Sequence, residues 1–80
     1  MKEIRICYYA LLREERGLSE ETVATSALNA SELYKELKIK HNFKLSTDLL
    51  RIAINNEFSH WEKELRNGDQ VIFIPPVAGG

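Results

Sequence analysis

Eighty residues allow one small domain and no second core. A hydrophobic content of 44% excludes intrinsic disorder, and a formal net charge of -1 excludes the basic excess that neutralising nucleic-acid phosphates requires. No apolar stretch approaches the roughly 20 residues of a membrane span, and Met1-Lys2-Glu3-Ile4-Arg5 lacks a signal-peptide core, so a cytoplasmic protein is expected.

Glu3 to Tyr9 reads as a first strand, with Ile4, Ile6 and Tyr8 directed to the core and Arg5, Cys7 and Tyr9 to the other face. Cys7 is the only cysteine, which excludes an internal disulfide; inside this strand it is expected as a small packing residue rather than a carrier of reactive sulfur. Ala10 to Arg16 contains strong helix formers, and Gly17 is placed to end a short helix in a left-handed cap. Glu20 to Ala27 follows as a second strand around Val23, antiparallel to the first. Glu14, Glu15, Glu20 and Glu21 are expected as solvated carboxylates. His41 and His60 stand apart from any metal-ligand spacing and are expected at the surface, with no metal bound.

Asn29 is placed to cap a main helix with Glu32 as its capping-box partner, and Leu28 with Leu33 as a hydrophobic staple. Ala30, Leu33, Tyr34 and Leu37 form the stripe of a helix packed on a sheet; Lys38, Lys40 and His41 suit its negative end, and Asn42 can close it. Phe43 to Leu50 is poorly legible: Phe43, Leu45, Leu49 and Leu50 offer anchors, while Ser46, Thr47 and Asp48 suggest a turn. Arg51 to Ile54 reads as a strand, Asn55-Asn56 as a turn, and Glu57-Phe58 as a short return. His60 to Arg66 suggests a helical turn with Trp61 and Leu65 inward, and Asn67-Gly68-Asp69 a tight turn.

Val71 to Ile74 is an apolar run without polar alternation, the pattern of a central strand covered on both faces. Pro75 and Pro76 lack N–H donors, end sheet pairing and favour extended polyproline geometry. The chain therefore divides into a domain over 1–74 and a flexible tail over 75–80, which could reach roughly 20 Å at about 3.3 Å per residue. Gly79 and Gly80 carry no Cβ, so a carboxylate ending there can pass a narrow channel towards a phosphorus or sulfur atom. A carboxylate is a poor electrophile, which suggests activation by a separate enzyme, most simply as an acyl adenylate made from ATP. No catalytic constellation, phosphate loop or metal motif is visible within the chain, leaving the Gly80 carboxylate as the working group.

Asn67-Gly68-Asp69-Gln70-Val71-Ile72-Phe73-Ile74-Pro75-Pro76-Val77-Ala78-Gly79-Gly80 resembles the carboxyl end of the molybdopterin synthase small subunits, the MoaD family of ubiquitin-like sulfur carriers. Tyr8-Tyr9-Ala10-Leu11-Leu12-Arg13-Glu14 resembles the family's aromatic-aromatic-Ala, then Leu-Arg-Glu, signature, and Arg51-Ile52-Ala53-Ile54-Asn55-Asn56-Glu57 its central strand and Asn turn. The similarity spans nearly the whole chain, and Pro-Pro-Val-x-Gly-Gly is its most specific part. Asn67 and Gln70 depart from the family's usual acids, at turn and edge positions.

Pattern and resemblance together imply an α+β fold of the β-grasp, ubiquitin-like kind: a mixed sheet of four to five strands, one main helix across it, and an extended carboxyl-terminal tail. The resemblance further implies that an adenylyltransferase of the ubiquitin-activating type forms acyl-AMP on Gly80. A sulfur donor would make the thiocarboxylate, and the large catalytic subunit of molybdopterin synthase would use it to thiolate cyclic pyranopterin monophosphate. The family commonly assembles two small and two large subunits. The chain itself would bind no cofactor, ATP being consumed by the activating enzyme. Gly79 and Gly80 carry the acyl chemistry, Val77 and Ala78 give small apolar contacts, and Pro75 and Pro76 limit the tail's conformations. An apolar patch near the tail is expected for partner binding, with Phe73, Phe58 and Tyr9 as candidates that could equally belong to the core. Two other readings share the diglycine end, a sulfur carrier of the thiamine type and a ubiquitin-like protein modifier; a pure binding module is a third.

Overall fold

The structure is a computed structural model and describes residues 1–76; the expectations for Val77, Ala78, Gly79 and Gly80 lie outside the described residues. Alternation sets the first strand, β1 (Lys2–Tyr8), whose Ile4, Ile6 and Tyr8 are buried in the core. A short helix α1 (Ala10–Arg16) follows and ends where Gly17 turns left-handed at φ 79°, its N–H donating to the Arg13 carbonyl at 2.8 Å. The glycine removes the Cβ clash that this conformation would impose on most residues. β2 (Glu20–Thr25) returns antiparallel to β1, placing Val23 beside Ile4.

The main helix α2 (Ala30–His41) lays Ala30, Leu33, Tyr34 and Leu37 against the sheet. Asn29 Oδ1 accepts the Glu32 N–H at 2.9 Å, as the capping box requires, while Glu32 Oε1 accepts the Leu28 N–H at 2.9 Å. The staple does not form: Leu33 is fully buried but Leu28 is 60% exposed. The entry of the chain is fixed instead by backbone bonds, Leu65 N–H to the Leu28 carbonyl at 2.9 Å and Ser31 N–H to the Trp61 carbonyl at 3.0 Å. Asn42 closes the helix at φ 57° with its N–H on the Lys38 carbonyl.

The segment that pattern reading left obscure is held by rings and one hydroxyl. Phe43 is buried and stacks on Tyr34 at 6.0 Å, and Tyr34 donates its hydroxyl to the Leu45 carbonyl at 2.8 Å. A 3-10 turn over Thr47–Leu49 then leads to buried Leu50; Leu49, expected as an anchor, is 54% exposed. β3 (Arg51–Ile54) and β4 (Glu57–Phe58) form a hairpin whose Asn55 and Asn56 both take positive φ. The stretch 60–66 is a run of turns rather than a helix, with a single bridge from Asn29 to Glu64; Leu65 is buried and Trp61 is half-buried against Phe73.

β5 (Gln70–Ile74) closes the sheet in the order β2-β1-β5-β3-β4, parallel to β1 and antiparallel to β3. Its register aligns Ile6, Val71 and Ile54 in one core row and Tyr8, Phe73 and Ile52 in the next. β5 is central, but it is covered on one face only: Val71 and Phe73 are fully buried under α2, whereas Ile72 and Ile74 lie half-buried on the opposite face. The unbroken apolar run is a core half interleaved with an open half.

Candidate functional site

The chain leaves the domain from its central strand. Pro75, which follows β5, is buried, and Pro76, the last residue described, is exposed. A groove of about 660 Å³ runs beside this root, walled by Tyr9, Leu11 and Arg13 on one side and by Ile74, Pro75 and Pro76 on the other. Ala10, also in its wall, holds φ 49°, a left-handed conformation that is uncommon for a residue with a Cβ.

Residues paired across a sheet share a face, so Cys7, Ile72, Ala53 and Phe58 form one row across β1, β5, β3 and β4 on the side away from α2. Phe58 is 73% exposed and Tyr9 50% exposed. With half-exposed Ile72 and Ile74 they make an apolar face continuous with the groove. Phe73, proposed from sequence as a partner contact, must be withdrawn from that list. Its side chain points to the core with no exposed surface, 5.2 Å from the Tyr34 ring. Cys7 is buried within the open face, its Sγ accepting a hydrogen bond from Gln70 Nε2 at 3.1 Å.

The acidic residue that sequence reading misplaced is Glu21. Its carboxylate is only 16% exposed and accepts from Arg16 Nε at 2.9 Å, Arg16 Nη2 at 2.8 Å and the Tyr8 hydroxyl at 2.6 Å. The Arg16 bonds hold it below the usual carboxylate range against the opposing cost of burial. Burial, reinforced by Glu21, pushes the Tyr8 hydroxyl up. His41, also expected at the surface, has its Nε2 4.0 Å from Glu21 and without a hydrogen-bond partner; burial, aided by Arg16, pushes its imidazole down. These bonds clamp the end of α1 to β1 and β2, with His41 of α2 packed alongside, and α1 supplies a wall of the groove. Its signal in sequence was faint, since the partners come from four elements with no shared periodicity.

A separate polar hollow of about 480 Å³ lies between the Asn55 turn and the 63–69 loop. There Asn55 and Asp69 satisfy one another and the neighbouring backbone: Asn55 Nδ2 donates to Asp69 Oδ1 at 2.9 Å, and Asn55 Oδ1 accepts the Gln70 N–H at 3.0 Å. Among the described residues no group of three or more His, Cys, Asp or Glu is placed to hold a metal ion, and no helix is long and apolar enough to cross a membrane.

The profile of the ThiS family matches residues 6–80, the open face and the arm included. The chain belongs to the ThiS family. Within curated proteins it is similar to the molybdopterin synthase sulfur carrier subunit of Haemophilus influenzae, 28% identical over 96% of this chain and 99% of that protein. A Pyrococcus furiosus structure described as molybdopterin converting factor subunit 1 superposes with a TM-score of 0.78 at 26% identity, covering 96% of this chain and 100% of the other. The small archaeal modifier protein 1 of Methanosarcina acetivorans shares the fold at a TM-score of 0.79 and 22% identity, over 100% of this chain and 98% of its own. So does a chain in the complex of subunits 1 and 2 of the Helicobacter pylori molybdopterin-converting factor, at 0.68 and 23% over 98% and 99% of the two chains. These likenesses identify the five-stranded mixed sheet as the β-grasp of ubiquitin-like proteins, as the sequence pattern and the family resemblance together implied.

Proposed function

We propose that this ThiS-family chain is the sulfur carrier subunit of a molybdopterin synthase. The observation that carries the reading is the continuity of an exposed apolar face with the root of a Pro-Pro-Val-Ala-Gly-Gly arm in a chain similar to named sulfur carriers. In this reading the chain presents an acyl group and a surface by which enzymes recognise it.

In the proposed cycle the Gly80 carboxylate attacks the α-phosphorus of ATP on an adenylyltransferase of the ubiquitin-activating type, releasing pyrophosphate and leaving acyl-AMP. A sulfur donor at the oxidation level of sulfide displaces AMP, and Gly80 then ends in a thiocarboxylate. Its sulfur is softer and more nucleophilic than a carboxylate oxygen. In the large synthase subunit that sulfur bonds to a side-chain carbon of cyclic pyranopterin monophosphate as an oxygen substituent on that carbon leaves. Water cleaves the resulting acyl–sulfur bond so that the sulfur stays on the pterin, and the carboxylate is regenerated. Two such deliveries supply the two dithiolene sulfurs, consistent with a proposed assembly of two small and two large subunits in the cytoplasm. Tyr9, Phe58, Ile72 and Ile74 form the proposed docking face for the partners. Missing Cβ atoms at Gly79 and Gly80 let the acyl end approach the reacting centre.

Intact mass measured on the chain isolated from its own cells tests the reading. A sulfur carrier gains the mass of one oxygen replaced by sulfur, and reconstitution with the large subunit consumes that form while dithiolene appears. Deleting Gly80 or substituting Gly79→Val should abolish transfer with the melting transition unchanged. Stable, heavier adducts on lysines of other proteins would support the modifier reading instead. Thiolation without dithiolene formation would point to a carrier for another thiolated product, of the thiamine type.

A further inference from the structure

We propose that Arg51 and Arg13 select the partner, requiring a docking surface that is apolar at its centre and carries carboxylates at its rim; this rests on the docking reading above. Arg51 in β3 pairs directly with Ile74, the last residue of β5, so both side chains stand on the open face, with Cβ atoms about 5 Å apart. Arg13 rises from α1 on the opposite wall of the groove. Two guanidinium groups thus bracket the point where the arm leaves the domain. Both are exposed, and neither takes part in the ion pairs among the described residues, which join Arg5 to Glu20 and Arg16 to Glu21, with His41 4.0 Å from Glu21 and paired to it only when protonated.

Glu14 also lines the groove beside Arg13, so the rim holds two guanidinium groups against one carboxylate, a positive balance opposite to the formal net charge of -1 of the whole chain. A partner that covers Phe58, Ile72 and Ile74 must strip water from both arginines, and a charge left unpaired in a dry interface opposes association. A guanidinium presents a planar fork of donors that matches a carboxylate through two parallel bonds, which makes acidic side chains the fitting counterpart. Two cations beside an apolar face do not form the basic stripe along which nucleic acid binds.

The test uses stopped-flow association of the full-length chain with the large molybdopterin synthase subunit of the same organism, at low and high sodium chloride. Arg13→Glu and Arg51→Glu together should slow association about tenfold at low salt, with the difference nearly vanishing at high salt. Phe58→Ser should speed dissociation at both salt concentrations. Association of the doubly reversed variant at the parent rate in low salt would overturn the inference, as would slowing that salt does not relieve. Weakening by Phe58→Ser in either of those cases would leave the docking reading standing. Failure of the unsubstituted chain to bind would bring down that reading, and this one with it.

Discussion

Glu21 receives hydrogen bonds from Arg16 and Tyr8 and lies near His41, so four elements converge on one carboxylate. Both of the acids and bases misread from sequence belong to this cluster, and both make the fold sensitive to acid. His41 titrates below its ordinary value of 6.5 in the folded chain, so the unfolded chain binds the proton more readily; stability should fall as pH drops from 6.5 towards the lowered value. Glu21 titrates below its ordinary 4.5, so its contribution is present above 4.5 and is lost as pH falls through the folded value. Urea titrations across this range should therefore show two acid steps, the upper removed by His41→Gln and the lower by Glu21→Gln. At pH 7 Glu21→Gln should also cost about 2 kcal/mol, the usual worth of hydrogen bonds to a charged group. A parent whose stability stays level from pH 7 to pH 5 would contradict the role given to His41.

At the scale of elements, α2 separates two devices that look alike in sequence. Asn29 caps the helix through a bond to the Glu32 N–H, so Asn29→Ala should lower stability by about 1 kcal/mol. Leu28 occupies a staple position but is 60% exposed, so Leu28→Ser should change stability by less than about 0.5 kcal/mol. Equal losses in thermal melts of the two variants would mean that the staple forms in solution. The contrast marks what a sequence can express. Caps, left-handed turns at Gly17, Asn42, Asn55 and Asn56, and the periodicities of β1 and α2 are local, and each was legible. The Leu45 carbonyl that receives Tyr34, the backbone bonds tying 60–66 to the start of α2, and the partners of Glu21 depend on distant chain segments that no short window contains. The site divides in the same way. Phe58 and Tyr9 could be proposed because they are large, apolar and close to the arm in the expected fold. Phe73 was misassigned because alternation gives the two faces of β5 but not which of them α2 covers.

For the whole molecule, the topology ties the residues that lead into the proposed arm to the core. β5 is the third of five strands, bonded on both sides, and its Val71 and Phe73 lie in the two core rows. An arm rooted on an edge strand could be pulled away by fraying, whereas one rooted here can be released only by breaking the core. Amide exchange should register the difference. The Val71, Ile72 and Phe73 amides should exchange only through global unfolding, with protection free energies equal to the stability measured in denaturant. Amides of the two-residue edge strand β4, Glu57–Phe58, should exchange through smaller openings. Addition of the large synthase subunit should then raise protection at Phe58 and along the groove beside Tyr9, while β5, already at the global limit, rises only by the free energy of binding. Rapid exchange in β5 of the free chain would show that the root opens locally, and the partner would then have to order it as well as dock on it.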